Sequence, residues 1–198
     1  MLSEQEKAWL AGVIESEGCL SLSYERRKPR GRDYEAVFTV ITIHISNCNP
    51  YLIHRVSELW KRLEMKFHFI WTGPAKPNRG EALFITCNSV GSSKKLLEAI
   101  RPYLATKTVE ADILLEYAIY RERLIKNRGP DGRWKDYVDR KYVDSLITSL
   151  KHAKWQRYDM SRLSRKAGEI LDLSELRPSE TIRETSNDED IVRTSMVT

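Results

Sequence analysis

Apolar residues recur along the first 125 positions in two rhythms. In residues 4–17, Trp9, Leu10, Val13 and Ile14 fall at helical spacing, and Ser3 with Glu6 forms an S-x-x-E capping box ahead of them. The next stretch, CLSLSY, alternates instead, with Leu20, Leu22 and Tyr24 on one face and Ser21 and Ser23 on the other, which predicts a half-buried strand. ERRKPRGRD then reads as a hairpin loop. EAVFTVITIHIS predicts a second strand with Val37, Ile41, Ile43 and Ile45 on one face and Thr42 and His44 on the other. NPYLIHRVSELWKRLE returns to helical spacing at Leu52, Val56, Leu59 and Leu63, with Asn49 as N-cap and Pro50 as the first helical residue. KFHFIWT and EALFITC predict strands three and four around the loop GPAKPNRG, and SSKKLLEAIRPYL and TVEADILLEYAIYRERLI predict two further helices.

The order helix, hairpin, helix, hairpin, helix, helix predicts an α+β domain over residues 1–125. A basic helical extension is expected over 126–170. It opens with the loop KNRGPDGRWKD and continues as an amphipathic helix with Tyr142, Leu146 and Leu150 at helical spacing. Residues 171–198 are acidic and poor in apolar side chains, which predicts a disordered tail.

Charge sharpens this division. The 198 residues carry +5, but 171–198 hold seven acids against three bases, so the first 170 carry +9. A basic body suits a polyanionic partner, and a merely soluble basic protein is the alternative on charge alone. Cys19, Cys48 and Cys87 form no CxxC pair, and the four histidines show no HxxxH spacing, so neither a disulfide framework nor a zinc site is expected. No signal-peptide pattern opens the sequence and no apolar run reaches membrane-spanning length, so an intracellular location is expected.

The stretch WLAGVIESEG, residues 9–18, conflicts with its own helix. Gly12 costs about 1 kcal/mol relative to alanine in a helix interior, a cost that fits close approach of a second helix, from the same subunit or another. Glu15 and Glu17 crowd the C-terminal turn, where the helix dipole disfavours acids by a few tenths to about 1 kcal/mol. Two residues apart, they do not share a helical face. Glu17, just before Gly18, projects off the end; it is either solvated or a hard oxygen ligand for a divalent cation such as magnesium.

LAGVIESEG, Leu10 to Gly18, resembles the LAGLIDADG motif of homing endonucleases, with Glu in place of Asp at both acidic positions. The element order over about residues 5–125 is similar to that family's αββαββα core, which implies a curved four-stranded antiparallel sheet with helices on one face. The resemblance implies a site-specific, metal-dependent endonuclease acting on double-stranded DNA, used in intron homing. It gives Glu17 a metal-binding role with the Ser16 carbonyl as co-ligand, and Lys107, in IRPYLATKTVEADILLEY, a catalytic role; a solvated residue at a helix start is the alternative for Lys107. Asn47 is implied as a polar group that orients water, with a turn or cap role equally open. Magnesium is the implied cofactor, with manganese as a substitute and calcium supporting binding without cleavage.

One motif copy implies a homodimer paired through the first helices at Leu10, Ala11, Gly12 and Val13, and hence a long, near-palindromic target. The resemblance also implies that DNA lies on the sheet face away from the helices, contacted by the first hairpin through Ser21, Ser23, Glu25, Arg26, Arg27, Lys28, Arg30 and Arg32. The returning strand adds Thr42 and His44, and the second hairpin Lys76, Arg79 and Thr86, with Lys126, Arg128 and Arg133 extending backbone contacts. Solvated basic loops are the alternative for the tip arginines. A non-cleaving relative, either an RNA-binding maturase or a DNA-binding regulator, shares the scaffold, and a basic dimeric interaction protein with an accidental motif is a third reading.

Overall fold

The computed structural model describes residues 1–28, 36–72, 82–127 and 138–170, the segment 160–170 by its backbone alone. The chain divides into two compact units, Met1–Asp159 and Met160–Thr198. The expected loop positions Arg30, Arg32, Lys76, Arg79, Arg128 and Arg133 and the tail 171–198 lie outside the described residues.

Helix α1 spans Glu4–Glu17 and opens with the expected capping box: the Ser3 hydroxyl accepts from the Glu6 N–H, and the Glu6 carboxylate accepts from the Ser3 N–H at 2.9 Å. Glu6 also pairs with Arg62 and Arg55 of the next helix, and the Arg62 guanidinium is the main reason its carboxyl is pulled down to about 2. Leu10, Ala11, Val13 and Ile14 are buried on the inner side of α1.

Strand β1, Gly18–Arg27, begins without a linker and runs three residues further than the sequence suggests, through Glu25, Arg26 and Arg27. Gly18 is extended (φ −85°, ψ 148°) rather than a left-handed helix-terminating glycine. Its requirement is steric. A Cβ there would lie 2.7 Å from the Ile14 carbonyl oxygen and 2.8 Å from the Ile14 Cα.

Strand β2 (Ala36–Asn47) pairs antiparallel with β1, Gly18 opposite Ile45 and Arg27 opposite Ala36. Helix α2 (Pro50–Arg62) starts as expected, with the Asn49 side chain accepting from the Tyr51 N–H at 3.0 Å. Strands β3 (His68–Thr72) and β4 (Ala82–Cys87) follow, and the sheet order is β1-β2-β4-β3, antiparallel throughout. Helix α3 (Val90–Ile100) leads through a 3-10 turn at Arg101–Tyr103 into α4 (Thr108–Lys126), and α5 covers Arg140–Ile170.

The alternation in the strands sorts the sheet into two faces. Leu20, Leu22, Ile41, Ile43, Ile45, Ile85 and Cys87 join the helices in one core. Val143, Leu146 and Leu150 bring the first turns of α5 into it, so the buried stripe runs through Val143, with Tyr142 half-buried beside it. Tyr24 ties α5 to β1, its hydroxyl donating to Asp144 at 2.8 Å. Among the described residues, none of the alternate set on the strands belongs to that core.

The Gly18 contact generates a test. Gly18→Ala should destabilise the chain by roughly 1–3 kcal/mol, the usual cost of forcing atoms into a closed space. The check is the urea midpoint at unchanged m-value; an unshifted midpoint would mean that the helix end relaxes freely.

Candidate functional site

Two helix ends meet where α1 stops and α4 starts, and each supplies the charge that the other lacks. The Glu15 carboxylate crosses to the N-terminus of α4. Its Oε1 accepts from the backbone N–H groups of Ala105 (2.8 Å), Thr106 (2.9 Å) and Lys107 (3.0 Å), and its Oε2 from the Thr106 hydroxyl. The Lys107 N–H is the N-cap donor of α4 and the other two lie in the bend that leads into it, where the helix dipole favours an anion. Burial pushes the Glu15 carboxyl up, but the Thr106 and backbone donors outweigh it and hold it below the usual carboxylate range.

Lys107 makes the return crossing. It is the N-cap of α4, yet its ammonium lies at the C-terminus of α1, donating to the carbonyls of Ile14 (2.6 Å), Glu15 (2.8 Å) and Gly18 (2.6 Å). A cation is favoured at that end of a helix. The side chain is only 3% exposed. Burial and then the Arg157 guanidinium lower its pKa, with Glu110, Glu15 and Cys19 acting in the opposite direction. The ammonium thus has three acceptors, two in the last turn of α1 and one on the first residue of β1.

Glu110 and Arg157 are site neighbours that the sequence did not single out. Glu110, one turn into α4 and 1% exposed, has its pKa raised by burial. Arg157 of α5 brings Nε to 2.9 Å from its Oε1, without hydrogen-bond angles. An acid at a helix start followed by a distant arginine gives no local signal of this pairing.

Glu17 is exposed, and among the described residues it has no hydrogen-bond or ion-pair partner. Every other charge at this helix end is taken up. The Ser16 hydroxyl turns back to the Gly12 and Val13 carbonyls, and Lys107 leaves the Ser16 carbonyl out of its set. Asn47 ends β2 and uses its side-chain oxygen in a turn, accepting from the Asn49 N–H at 2.8 Å. Among the described residues, no group of three His, Cys, Asp or Glu side chains forms a metal site within the chain. One free carboxylate suits an ion that keeps waters and takes further oxygens from a phosphate or a second chain.

The helix surface differs from the expectation for a dimer contact. Leu10, Ala11 and Val13 are consumed by the chain's own core, because they face the sheet. Gly12 is exposed, with nothing within 4 Å of the position a Cβ would take. It shares the outer side of α1 with Gln5, Ala8, Trp9 and Ser16, and Trp9 borders a groove with Arg55 and Leu59.

The register brings the remaining candidates together. Ser21 lies opposite Thr42, Cys19 opposite His44, and His44 opposite Thr86, which pairs onward with His68. These positions, with Ser23, Glu25 and Arg27, share the face away from the core. The Ser21 hydroxyl donates to the Thr42 carbonyl at 3.3 Å, and Arg27 pairs with Glu25. Arg26 falls on the alternate register, exposed at the strand end with Lys28 beyond it, and Lys126 is exposed at the end of α4. Lys154 of α5 comes within 3.7 Å of the Cys19 sulfur; burial and then that ammonium lower the His44 pKa. Among the described residues no helix is long and apolar enough to cross a membrane.

The architecture matches that of a solved protein. The I-SmaMI LAGLIDADG homing endonuclease bound to cleaved DNA superposes with a TM-score of 0.50 at 14% identity, over 73% of this chain and 43% of that one. The fold is the LAGLIDADG homing-endonuclease fold. The homing endonuclease I-TnaI gives a TM-score of 0.48 at 15% identity, over 78% of this chain and 96% of that one. I-CvuI in complex with a DNA target in the presence of magnesium gives 0.43 at 18% identity, over 75% and 96%. No family model matches the sequence, and no curated protein matches it. Within this LAGLIDADG fold, the motif residues Leu10–Gly18 form the last two turns of α1 and the first residue of β1.

The crossed helix ends predict a pH dependence. The folded Glu15 pKa lies below its ordinary value of 4.5, so its stabilisation is present above that pH and is lost as the pH falls through the lowered value. Glu15→Gln should cost about 1–2 kcal/mol at pH 7 and flatten the acid limb of a stability-against-pH curve below about pH 5. An acid limb unchanged in the variant would take Glu15 out of the account.

Proposed function

We propose that this chain is a site-specific endonuclease that cuts double-stranded DNA with a divalent metal, as a homodimer on a long near-palindromic site. The observation that carries the reading is Glu17, the one charge at the end of α1 left without a partner among the described residues. A carboxylate free of every local use, at the tip of a helix whose outer side is open at Gly12, suits a centre completed by a second copy and a phosphate.

Magnesium held by the Glu17 carboxylate and the Ser16 carbonyl would supply positive charge where a phosphodiester gains negative charge during hydrolysis. The chain's own contribution is rigidity. Lys107 fastens the carbonyls on either side of Ser16 and Glu17, so the acid's backbone cannot swing when a polyanion arrives. Lys107 is thus a positioning residue that also adds a buried positive charge near the acid. Asn47 shapes the turn into α2 beside the same end of the sheet. Dimer contact runs through Gln5, Ala8, Trp9, Gly12 and Ser16, with Gly12 admitting the partner helix closely. The outer sheet face, with Ser21, Ser23, Thr42, His44 and Thr86, then lies along the duplex, and a homing role follows from the long site.

Cleavage is read by incubating the full chain with a random duplex library and magnesium and sequencing the ends. Cuts at a fixed stagger within a near-palindrome are expected. Glu17→Gln should abolish cutting, keep retention of duplex in calcium, and leave thermal stability unchanged, since the carboxylate has no structural partner. Undiminished cutting by that variant removes Glu17 from the chemistry, and retention without any cutting by the wild type points to a DNA-binding regulator.

Gly12→Ala separates the dimer from the monomer. With open space at its Cβ, the substitution should stabilise the isolated chain by about 1 kcal/mol through helix propensity, while weakening self-association in sedimentation. Unaltered association would move the interface away from α1.

A further inference from the structure

We propose that the body of the outer sheet face reads thymine methyl groups, with Phe38 and Ile70 as the specificity-determining side chains. The inference rests on the duplex-DNA reading above and deepens it by naming the base chemistry. In the major groove, guanine is recognised best by an arginine fork and adenine by an asparagine or glutamine amide, whereas thymine offers a methyl group to an apolar side chain. Among the described residues the strands contribute no Asn, Gln or Lys to this face; their one arginine there, Arg27, is tied to Glu25 at the strand end, and the one ammonium that reaches the face, Lys154 of α5, is engaged at Cys19.

The face offers instead short hydroxyls, two imidazoles and apolar side chains. Phe38 lies opposite Glu25 on the β1–β2 ladder and is 43% exposed; Ile70 lies opposite Phe84 on the β3–β4 ladder and is 45% exposed. The two therefore sit on separate wings of the sheet. Neither belongs to the core cluster. Phe38 faces Glu25, with Ala36 and Val40 as its same-face neighbours on β2, and Ile70 faces Phe84, with His68 and Thr72 as its same-face neighbours on β3, so polar side chains interrupt both groups, unlike the continuous apolar patch of a protein-docking site. With +9 on the first 170 residues, the occupant that fits is a duplex whose groove floor carries isolated methyl groups.

The test uses the full chain in calcium and two random duplex libraries, one made with thymine and one with uracil in its place, which removes the methyl and nothing else. Selected sites should be rich in thymine, and the uracil version of a selected duplex should bind more weakly by about fourfold per contacted methyl, the ratio given by ~0.8 kcal/mol for one buried methylene. Phe38→Ala and Ile70→Ala should each bring the thymine-to-uracil ratio towards one at their own positions, and Phe38→Leu should keep part of it. Both positions are surface-exposed, and unchanged melting confirms that the variants fold. Equal binding of thymine and uracil duplexes, or an undiminished ratio in both alanine variants, overturns the inference while leaving the nuclease reading intact. Failure to retain either library overturns the duplex-binding reading and this inference with it.

Discussion

The structure depends on an exchange of charge between two helix ends. Glu15 leaves the C-terminus of its own helix, where an acid is disfavoured, and satisfies the backbone donors at the start of α4. Lys107 leaves a helix start, where a cation is disfavoured, and satisfies the carbonyls at the end of α1. Either residue alone would be misplaced by the dipole rule. Together they join α1 to α4 and complete two caps. The cost is a buried ammonium, with Glu110 and Arg157 close enough to shift its electrostatics.

That exchange explains why two acids two residues apart have different fates. Glu15 is spent on the fold, and Glu17 is left over. A helix end normally finds partners for its charges or leaves them scattered in water; here one is left without a partner on a backbone that Lys107 holds on either side. The sheet repeats the division. One register of its residues is committed to the core, and the alternate register, apart from the buried Val40 and Thr86, is left for solvent or a ligand, a consequence of the period of two in extended backbone.

Local patterns carried much of this from the sequence. The capping box at Ser3 and Glu6, the Asn49–Pro50 helix start and the alternation of Leu20, Leu22, Ile41, Ile43 and Ile45 are signals within a few residues, and the element order followed from them. Gly18 was legible as a boundary but not in its cause, since only the packed helix end reveals the Ile14 contact. The dipole conflicts at Glu15 and Lys107 were visible as anomalies, yet their solution spans about ninety residues of chain and could not be read locally. Leu10, Ala11 and Val13 looked available to a partner because periodicity identifies an apolar side without saying which body covers it. Arg157 and Glu110 had no local signature.

The direct step from α1 into β1 has a geometric consequence. With no loop between Glu17 and Gly18, the acidic tip passes directly into β1, and its distance to the outward side chains of that strand is set by regular structure alone. An extended strand advances about 3.3 Å per residue, close to the ~3.4 Å between successive bases of one DNA strand. Outward positions such as Ser21 and Ser23 are therefore spaced at intervals that match about two base pairs, counted from a fixed origin. On the proposed reading a duplex laid along β1 would meet a graduated ruler, and the bond at its zero mark would stand at a constant offset from the bases beneath the scale.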